Sequence, residues 1–347
     1  MPFAALLYRY DPATRWTVSE GESGWNNTTR IAENDRGDKR VLRIYETHKD
    51  ADKIAFEHDV LLKLSERALP FAVPRPLALP DGATFTALGD GTGRYAALFT
   101  YTAGVRPDGS EPAVAASIGE AVGRLSLALR TLQPAAAPAY LPCYELERTH
   151  PSCPGHVIAA FCEAPQAAFL DLKDELRLIS DAMRAFQAAL KTVRTLPHQL
   201  VHGDINDSNL LVGMHDRTQI AAILDFEFCT MELRAMEPAV TLAGLIGEAG
   251  SLEAAASFLS GFGSIAPLSE EEIDALPLLM RLRRLDVFVH FLGRYLSEVD
   301  SADVLRQQTK ETAAGLTLLD RHEAAVRSMC KETMTKKASG KRWQSHK

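Results

Sequence analysis

The 347-residue sequence has five cysteines, no long apolar run and no excess of positive charge. Cys143, Cys153, Cys162, Cys229 and Cys330 are odd in number and widely spaced, which argues against a disulfide framework. Cys143, His150, Cys153, His156 and Cys162 gather in one stretch without the paired spacing of structural zinc ligands. They read as small buried thiols and loop histidines. No segment approaches the roughly 18 apolar residues of a membrane span. Phe3–Leu7 is too short for a secretory leader and Arg9 follows it, so a cytoplasmic protein without a membrane partner is expected. A formal net charge of −7 argues against nucleic-acid binding, which needs a basic surface. A G-x-x-x-x-G-K-[ST] segment is missing, so a Walker-type nucleotide site is unsupported. Gly89-Asp90-Gly91-Thr92-Gly93 precedes a strand rather than a helix and reads as a turn. Apolar residues at 46% and charged residues at 24% are ordinary for a globular chain. The length suits one two-lobed domain or two domains.

What is present is concentrated in His202-Gly203-Asp204-Ile205-Asn206-Asp207-Ser208-Asn209 and Ile223-Leu224-Asp225-Phe226-Glu227. A loop Asp, an Asn five positions on and a second Asp ending an apolar run are the parts needed for phosphoryl transfer. One Asp accepts the attacking hydroxyl's proton, and the Asn and the other Asp hold Mg²⁺ against nucleotide phosphates. Mg²⁺ takes few protein ligands, all oxygen, so this sparse set suffices. Leu210–Val212 and Ile220–Leu224 read as two strands joined by the loop 213–219. A turn centred on Arg217 would place Asn209 opposite Asp225, with facing Cβ atoms roughly 4.5–5.5 Å apart.

On these residues the chain resembles the aminoglycoside phosphotransferase and choline kinase superfamily, which shares its fold with protein kinases. The resemblance implies an α+β, protein-kinase-like two-lobed fold, with a small antiparallel-sheet N-lobe and a mostly helical C-lobe. It implies ATP and Mg²⁺ as cofactors, Asp204 as the catalytic residue, and Asn209 and Asp225 as metal ligands. The implied division is an N-terminal nucleotide-binding lobe over 1–101 and a C-terminal lobe over 102–335. Residues 336–347, with Lys336, Lys337, Lys341 and Arg342, read as a basic, frayed tail.

The first hundred residues read as strands plus one helix. Gly21, Gly24 and Asn27 lie in a turn-rich segment between two strands, where the family has its nucleotide-covering loop. Small residues there let backbone N–H groups approach phosphates. Arg40–Tyr45 alternates as a strand, with Val41, Arg43 and Tyr45 on one face. Arg43 stands where the kinase pattern calls for a cation on the α- and β-phosphates; many relatives have Lys, and Arg differs in shape and reach. On the helix from about Asp50 to Arg67, Glu57 falls within the apolar stripe of Ile54, Leu61, Leu64 and Ala68. A core-facing carboxylate needs a partner, and Arg43 is the natural one, with Lys53 the competing surface choice. Ala96–Tyr101 followed by Gly104 resembles the family's hinge, where backbone groups of Phe99, Thr100 and Tyr101 would bond adenine. Beyond Pro112 the sequence reads as helical apart from the 210–224 hairpin.

The acceptor is expected to be the hydroxyl of a small molecule. Gly93–Tyr101 and Leu276–Tyr295 resemble the corresponding segments of the superfamily's homoserine kinases. His202-Gly203-Asp204, in place of their usual His-Ala-Asp, and Glu227, in place of an aromatic, depart from them. An amino-acid alcohol needs an acid for its ammonium and a cation for its carboxylate. Glu237, Glu227 or Asp207 would serve the first need, and Arg234, Arg281 or Arg284 the second. The leading expectation is an amino alcohol or hydroxy amino acid such as homoserine. The alternatives are an aminoglycoside, choline or sugar kinase, a bacterial Ser/Thr protein kinase, and a nucleotide-binding module without catalysis.

Overall fold

Short apolar runs separated by turns give an antiparallel sheet in the first hundred residues, and 3.6-residue periodicity gives helices after them. The computed structural model describes residues 3–21, 24, 26–47, 49–246 and 251–335. In chain order, α1 (Phe3–Tyr10) leads to β1 (Trp16–Glu20), β2 (Asn27–Asn34), β3 (Lys39–Tyr45) and α2 (Ala51–Ser65). β4 (Phe85–Ala87), β5 (Tyr95–Thr100), α3 (Pro112–Arg130), α4 (Leu146–Thr149), α5 (Gly155–Glu163) and α6 (Lys173–Val193) follow. Then come β6 (His198–Val201), β7 (Leu210–Val212), β8 (Ile220–Ile223) and β9 (Thr230–Leu233). The chain continues through α7 (Met236–Leu245), α8 (Ser251–Ile265), α9 (Glu270–Leu296) and α10 (Ala302–Thr335). The tail expected at 336–347 lies outside the described residues.

Two compact units are formed: Met1–Arg106 with Thr131–Ala139 and Asn209–Cys229, and Pro107–Arg130 with Tyr140–Ser208 and Thr230–Lys347. This differs from a single break after residue 101. The β7–β8 hairpin groups with the first unit because Ala72 bonds Ala221 and Ile223, and Val105 pairs with Val212. At Gly104 a Cβ would stand 2.8 Å from Leu211 Cβ, so glycine permits that approach.

In the first unit the sheet order is β1-β2-β3-β5-β4, all antiparallel. One face packs Leu42, Ile44, Ala96 and Leu98 against Leu6 and Leu7 of α1. That helix was not expected. Eight residues are too few to hold a helix by propensity, and packing on the sheet stabilises it instead. α2 starts at an Asp50 cap whose side chain accepts from Asp52 N–H, and buries Glu57 in its stripe.

In the second unit α3 packs on α8 and α9 on α10. The capping box of Ser269 and Glu272 starts α9, which runs over the expected span with Pro277 inside it. A two-stranded ribbon of β6 and β9 was also unforeseen, since four-residue strands carry little periodicity. α7 begins at Met236, ahead of the expected Pro238. Among the described residues no helix is long and apolar enough to cross a membrane.

Candidate active site

Arg43 and Glu57 meet as the stripe argument requires, with Nη1 donating to Oε1 at 2.9 Å. Tyr45, two residues on and so on the same face of β3, donates its hydroxyl to the other Glu57 oxygen at 3.2 Å. It also bonds His58 Nε2 at 3.0 Å, and His58 Nδ1 bonds the Thr84 hydroxyl at 2.7 Å. Burial first, then the Arg43 charge, pushes the His58 pKa down to about 3, so this ring is neutral and structural. Arg43 lies 5.2 Å over the Phe99 ring and 3.4 Å from Asp225 Oδ1. Burial opposes its charge, but Asp225 and Glu57 outweigh that and hold it above the ordinary arginine range. Burial lifts Glu57, against the pull of Arg43.

The hairpin register is one residue away from the expected one. Leu210 faces Ile223 and Leu211 faces Ala222, with a bulge between Leu211 and Val212. Asn209 accepts from Leu224 N–H at 2.8 Å, so it stands opposite Leu224 rather than Asp225. Both residues still lie at the same end of the hairpin. Asp225 has φ +63°, a left-handed conformation that Asp tolerates better than most side chains. Its Oδ1 is sealed from solvent and has no hydrogen bond.

Glu227, considered for an acceptor ammonium, is instead tied within the first unit. Its two oxygens accept from Asn26 Nδ2 and Asn27 Nδ2, each at 2.8 Å. Burial, then Asp225, raises its pKa to about 8. Asn27 is buried and its Oδ1 has no hydrogen bond. Gly21 donates to Thr29 O at 3.3 Å, and a Cβ on Gly24 would meet open space. Thr100 donates its N–H to Arg75 O and accepts from Arg75 N–H, both at 3.0 Å. Its backbone donor is therefore not available to a ligand. Tyr101, half-exposed with Lys39 5.8 Å from its ring, is the next residue in the expected hinge.

In the second unit, Gly203 has φ +79°, which lets the chain turn between buried His202 and Asp204. Asp204 N–H donates to His202 Nδ1 at 3.2 Å, fixing the loop from inside. Asn206 Nδ2 reaches Asp204 O at 3.1 Å and Oδ1 at 3.4 Å. Arg283, which the sequence reading passed over, donates Nη2 to Asp204 Oδ1. Its Nη1 lies 3.9 Å from Asp286 Oδ2, and Asp286 Oδ1 lies 3.7 Å from His150 Nε2. Burial opposes the Asp286 charge, but His150, Arg283 and His290 hold its pKa below the usual carboxylate range. The available signal was helical spacing: Arg283, Asp286 and His290 stand at i, i+3 and i+7.

The other acceptor residues considered turn inward. Glu237 is 0% exposed and accepts His202 N–H at 2.7 Å, so it shapes the loop and cannot meet a ligand. Arg234 pairs with buried Glu272, donating Nε to Oε1 at 2.8 Å. Asp207 is exposed, and its carboxylate accepts Gly109 N–H at 3.1 Å. Arg281 pairs with Asp320 and Glu323 at 2.7 and 2.6 Å, and Arg284 donates to the Ala243 carbonyl.

Burial pushes the Glu237 carboxyl up to about 7 from an ordinary 4.5, and its Oε1 has no hydrogen bond. Between those values the folded chain keeps a proton that the unfolded chain releases. Its contribution to stability is therefore full below pH 4.5 and shrinks as pH rises to 7, by up to about 1.4 kcal/mol per unit. Thermal melts across that window should decline less steeply for Glu237→Gln than for the parent. Equal slopes would remove Glu237 as the source.

Residues 17–275 match the model of the phosphotransferase enzyme family, APH. The chain is 30% identical over 261 residues to a homoserine kinase of Rhodospirillum rubrum, covering 74% of each. It is 27% identical over 311 residues to one of Acidiphilium cryptum, covering 88% of this chain and 89% of the other. The fold is similar to that of a microcompartment-associated aminopropanol kinase, with TM-score 0.66, 17% identity and coverage of 94% and 98%. It is also similar to that of amicoumacin kinase in complex with AMP-PNP and Ca²⁺, with TM-score 0.63, 18% identity and coverage of 90% and 91%. The chain belongs to the phosphotransferase enzyme family, as an ATP-dependent kinase acting on a small-molecule hydroxyl.

Proposed function

We propose that the chain transfers the γ-phosphoryl group of ATP to the side-chain hydroxyl of a hydroxy amino acid, with homoserine as the acceptor. The observation that carries the kinase chemistry is Asp225 Oδ1, a buried carboxylate oxygen 3.4 Å from Arg43 with no hydrogen bond. Arg43 offsets part of its charge, and the lone pairs left without a hydrogen bond suit a further cation. With Asn209 at the same end of the hairpin, the donors are hard oxygens of the kind Mg²⁺ takes. When bound, Mg²⁺ would neutralise charge on the transferring phosphates.

In this reading Asn209 and Asp225 hold the metal, and Arg43, fixed by Glu57, Tyr45 and the Phe99 ring, reaches the α- and β-phosphates. Gly21, Gly24 and Asn27 belong to the segment that covers them, and the adenine contact of the Phe99–Tyr101 hinge falls to Tyr101. Asp204 accepts the acceptor's hydroxyl proton as the oxygen–phosphorus bond forms and ADP leaves. Homoserine is supported by the names of relatives at 26–30% identity. A panel of homoserine, choline, ethanolamine, sugars, aminoglycosides and a generic protein substrate, scored by ADP release, tests the assignment. Turnover of a sugar or aminoglycoside with silence on homoserine would refute the acceptor and leave the kinase standing.

Glu227→Ala should loosen Asn26 and Asn27 from the metal-bearing loop. Losing two hydrogen bonds of about 0.5–1.5 kcal/mol each implies a rise of roughly tenfold in KM for ATP. An unchanged KM for ATP would show that the tie does not serve the nucleotide.

A further inference from the structure

We propose that Arg283 is the receptor for the acceptor's carboxylate and, until an acceptor arrives, the restraint on Asp204. The inference rests on the proposed role of Asp204 as the proton acceptor. An acceptor hydroxyl must donate to the Asp204 carboxylate, yet Oδ1 already accepts from Arg283 Nη2 and faces Asn206 Nδ2. The Arg283 side chain is only 21% exposed and stands beside two carboxylates, Asp204 and Asp286. A planar guanidinium in that position exchanges readily between carboxylates, because its fork matches each of them.

The spacing selects the chemical class. In an α-amino acid the ammonium and the carboxylate sit on one carbon, so their receptors must adjoin. Arg283 and Asp286 are one helical turn apart on α9, with Nη1 3.9 Å from Oδ2. Asp286 is ionised, with His150 and His290 lining its side of the stripe. Glu232, also close by, accepts backbone N–H groups of Cys143 and Leu233 and is not offered to a ligand. The other cations considered lack this setting, since Arg281, Arg284 and Arg234 are tied to Asp320, Ala243 and Glu272.

An acceptor carboxylate would draw Arg283 from Asp204 as its hydroxyl takes the vacated oxygen. The hydroxyl proton then passes to Asp204, the acceptor oxygen bonds the γ-phosphorus, and the bond to the β-phosphate oxygen breaks to release ADP. Water and plain amino alcohols bring no carboxylate and leave Arg283 where it is. The arrangement thus favours hydroxy amino acids and suppresses ATP hydrolysis.

The test compares homoserine with 3-aminopropan-1-ol, the same molecule without its carboxylate, and measures ATP hydrolysis without acceptor. The parent enzyme should prefer homoserine by a large factor. Arg283→Gln should lose roughly 30- to 1,000-fold in kcat/KM on homoserine, mainly through KM. It should keep or gain turnover of 3-aminopropan-1-ol and hydrolyse ATP several-fold faster, with partial recovery in Arg283→Lys. Equal use of both acceptors by the parent would overturn the assignment without needing any variant. Equal losses on both acceptors in Arg283→Gln would also overturn it, since Arg283 would then only position Asp204. If the parent phosphorylates neither acceptor but another panel member, the homoserine reading fails first.

Discussion

Asp204→Asn is expected to lower kcat by about 10²- to 10⁴-fold while nucleotide affinity stays close to that of the parent. The substitution keeps the shape and the hydrogen bond to His202 Nδ1, which comes from the Asp204 backbone N–H. What it removes is the carboxylate proposed to take the hydroxyl proton, along with the charge facing Arg283. Buried His202 and Glu237 hold the loop from below and are untouched, so the variant should fold. Isothermal titration with a non-hydrolysable nucleotide, beside a coupled ADP-release assay, separates binding from chemistry. Turnover within a few-fold of the parent would show that Asp204 is not the proton acceptor.

The second large effect is expected from Asp225→Ala. The parent should gain thermal stability from ATP with Mg²⁺, by about 2.7 kcal/mol at a hundred times Kd. The variant should lose the Mg²⁺-dependent part of that gain, and turnover should fall at least roughly a hundredfold. Arg43 keeps Glu57 as its partner, so the fold survives the loss of the second carboxylate. A nucleotide-induced stabilisation that ignores Mg²⁺ in the parent would favour a binding module over a kinase.

Much of the first unit was legible because its polar residues sit where an apolar pattern makes them conspicuous. Glu57 in the stripe of α2 demanded a buried cation, and Arg43 on the facing strand supplied it. Tyr45 was also readable, being on the Arg43 face, but its bond to Glu57 depends on α2 packing that no period records. The ends of the hairpin were legible and its register was not, because the bulge between Leu211 and Val212 has no composition of its own. α1, β6 and β9 escaped because elements of eight and four residues are stabilised by packing rather than by pattern.

The acceptor residues failed for a different reason. Sequence shows that Arg234 and Glu237 carry charge, but not that one meets Glu272 and the other the His202 backbone. Arg281, Arg283 and Arg284 look alike in the sequence. Only their angles around α9 send the first to Asp320, the second to Asp204 and the third to Ala243.

The most direct measurement is the mass of the acceptor after incubation with ATP and Mg²⁺, run with the parent and with Asp204→Asn. Conversion of homoserine to its O-phosphate by the parent, and almost none by the variant, is the result expected. Homoserine left unmodified by the parent while ATP is consumed, or equal conversion by both proteins, would contradict the account.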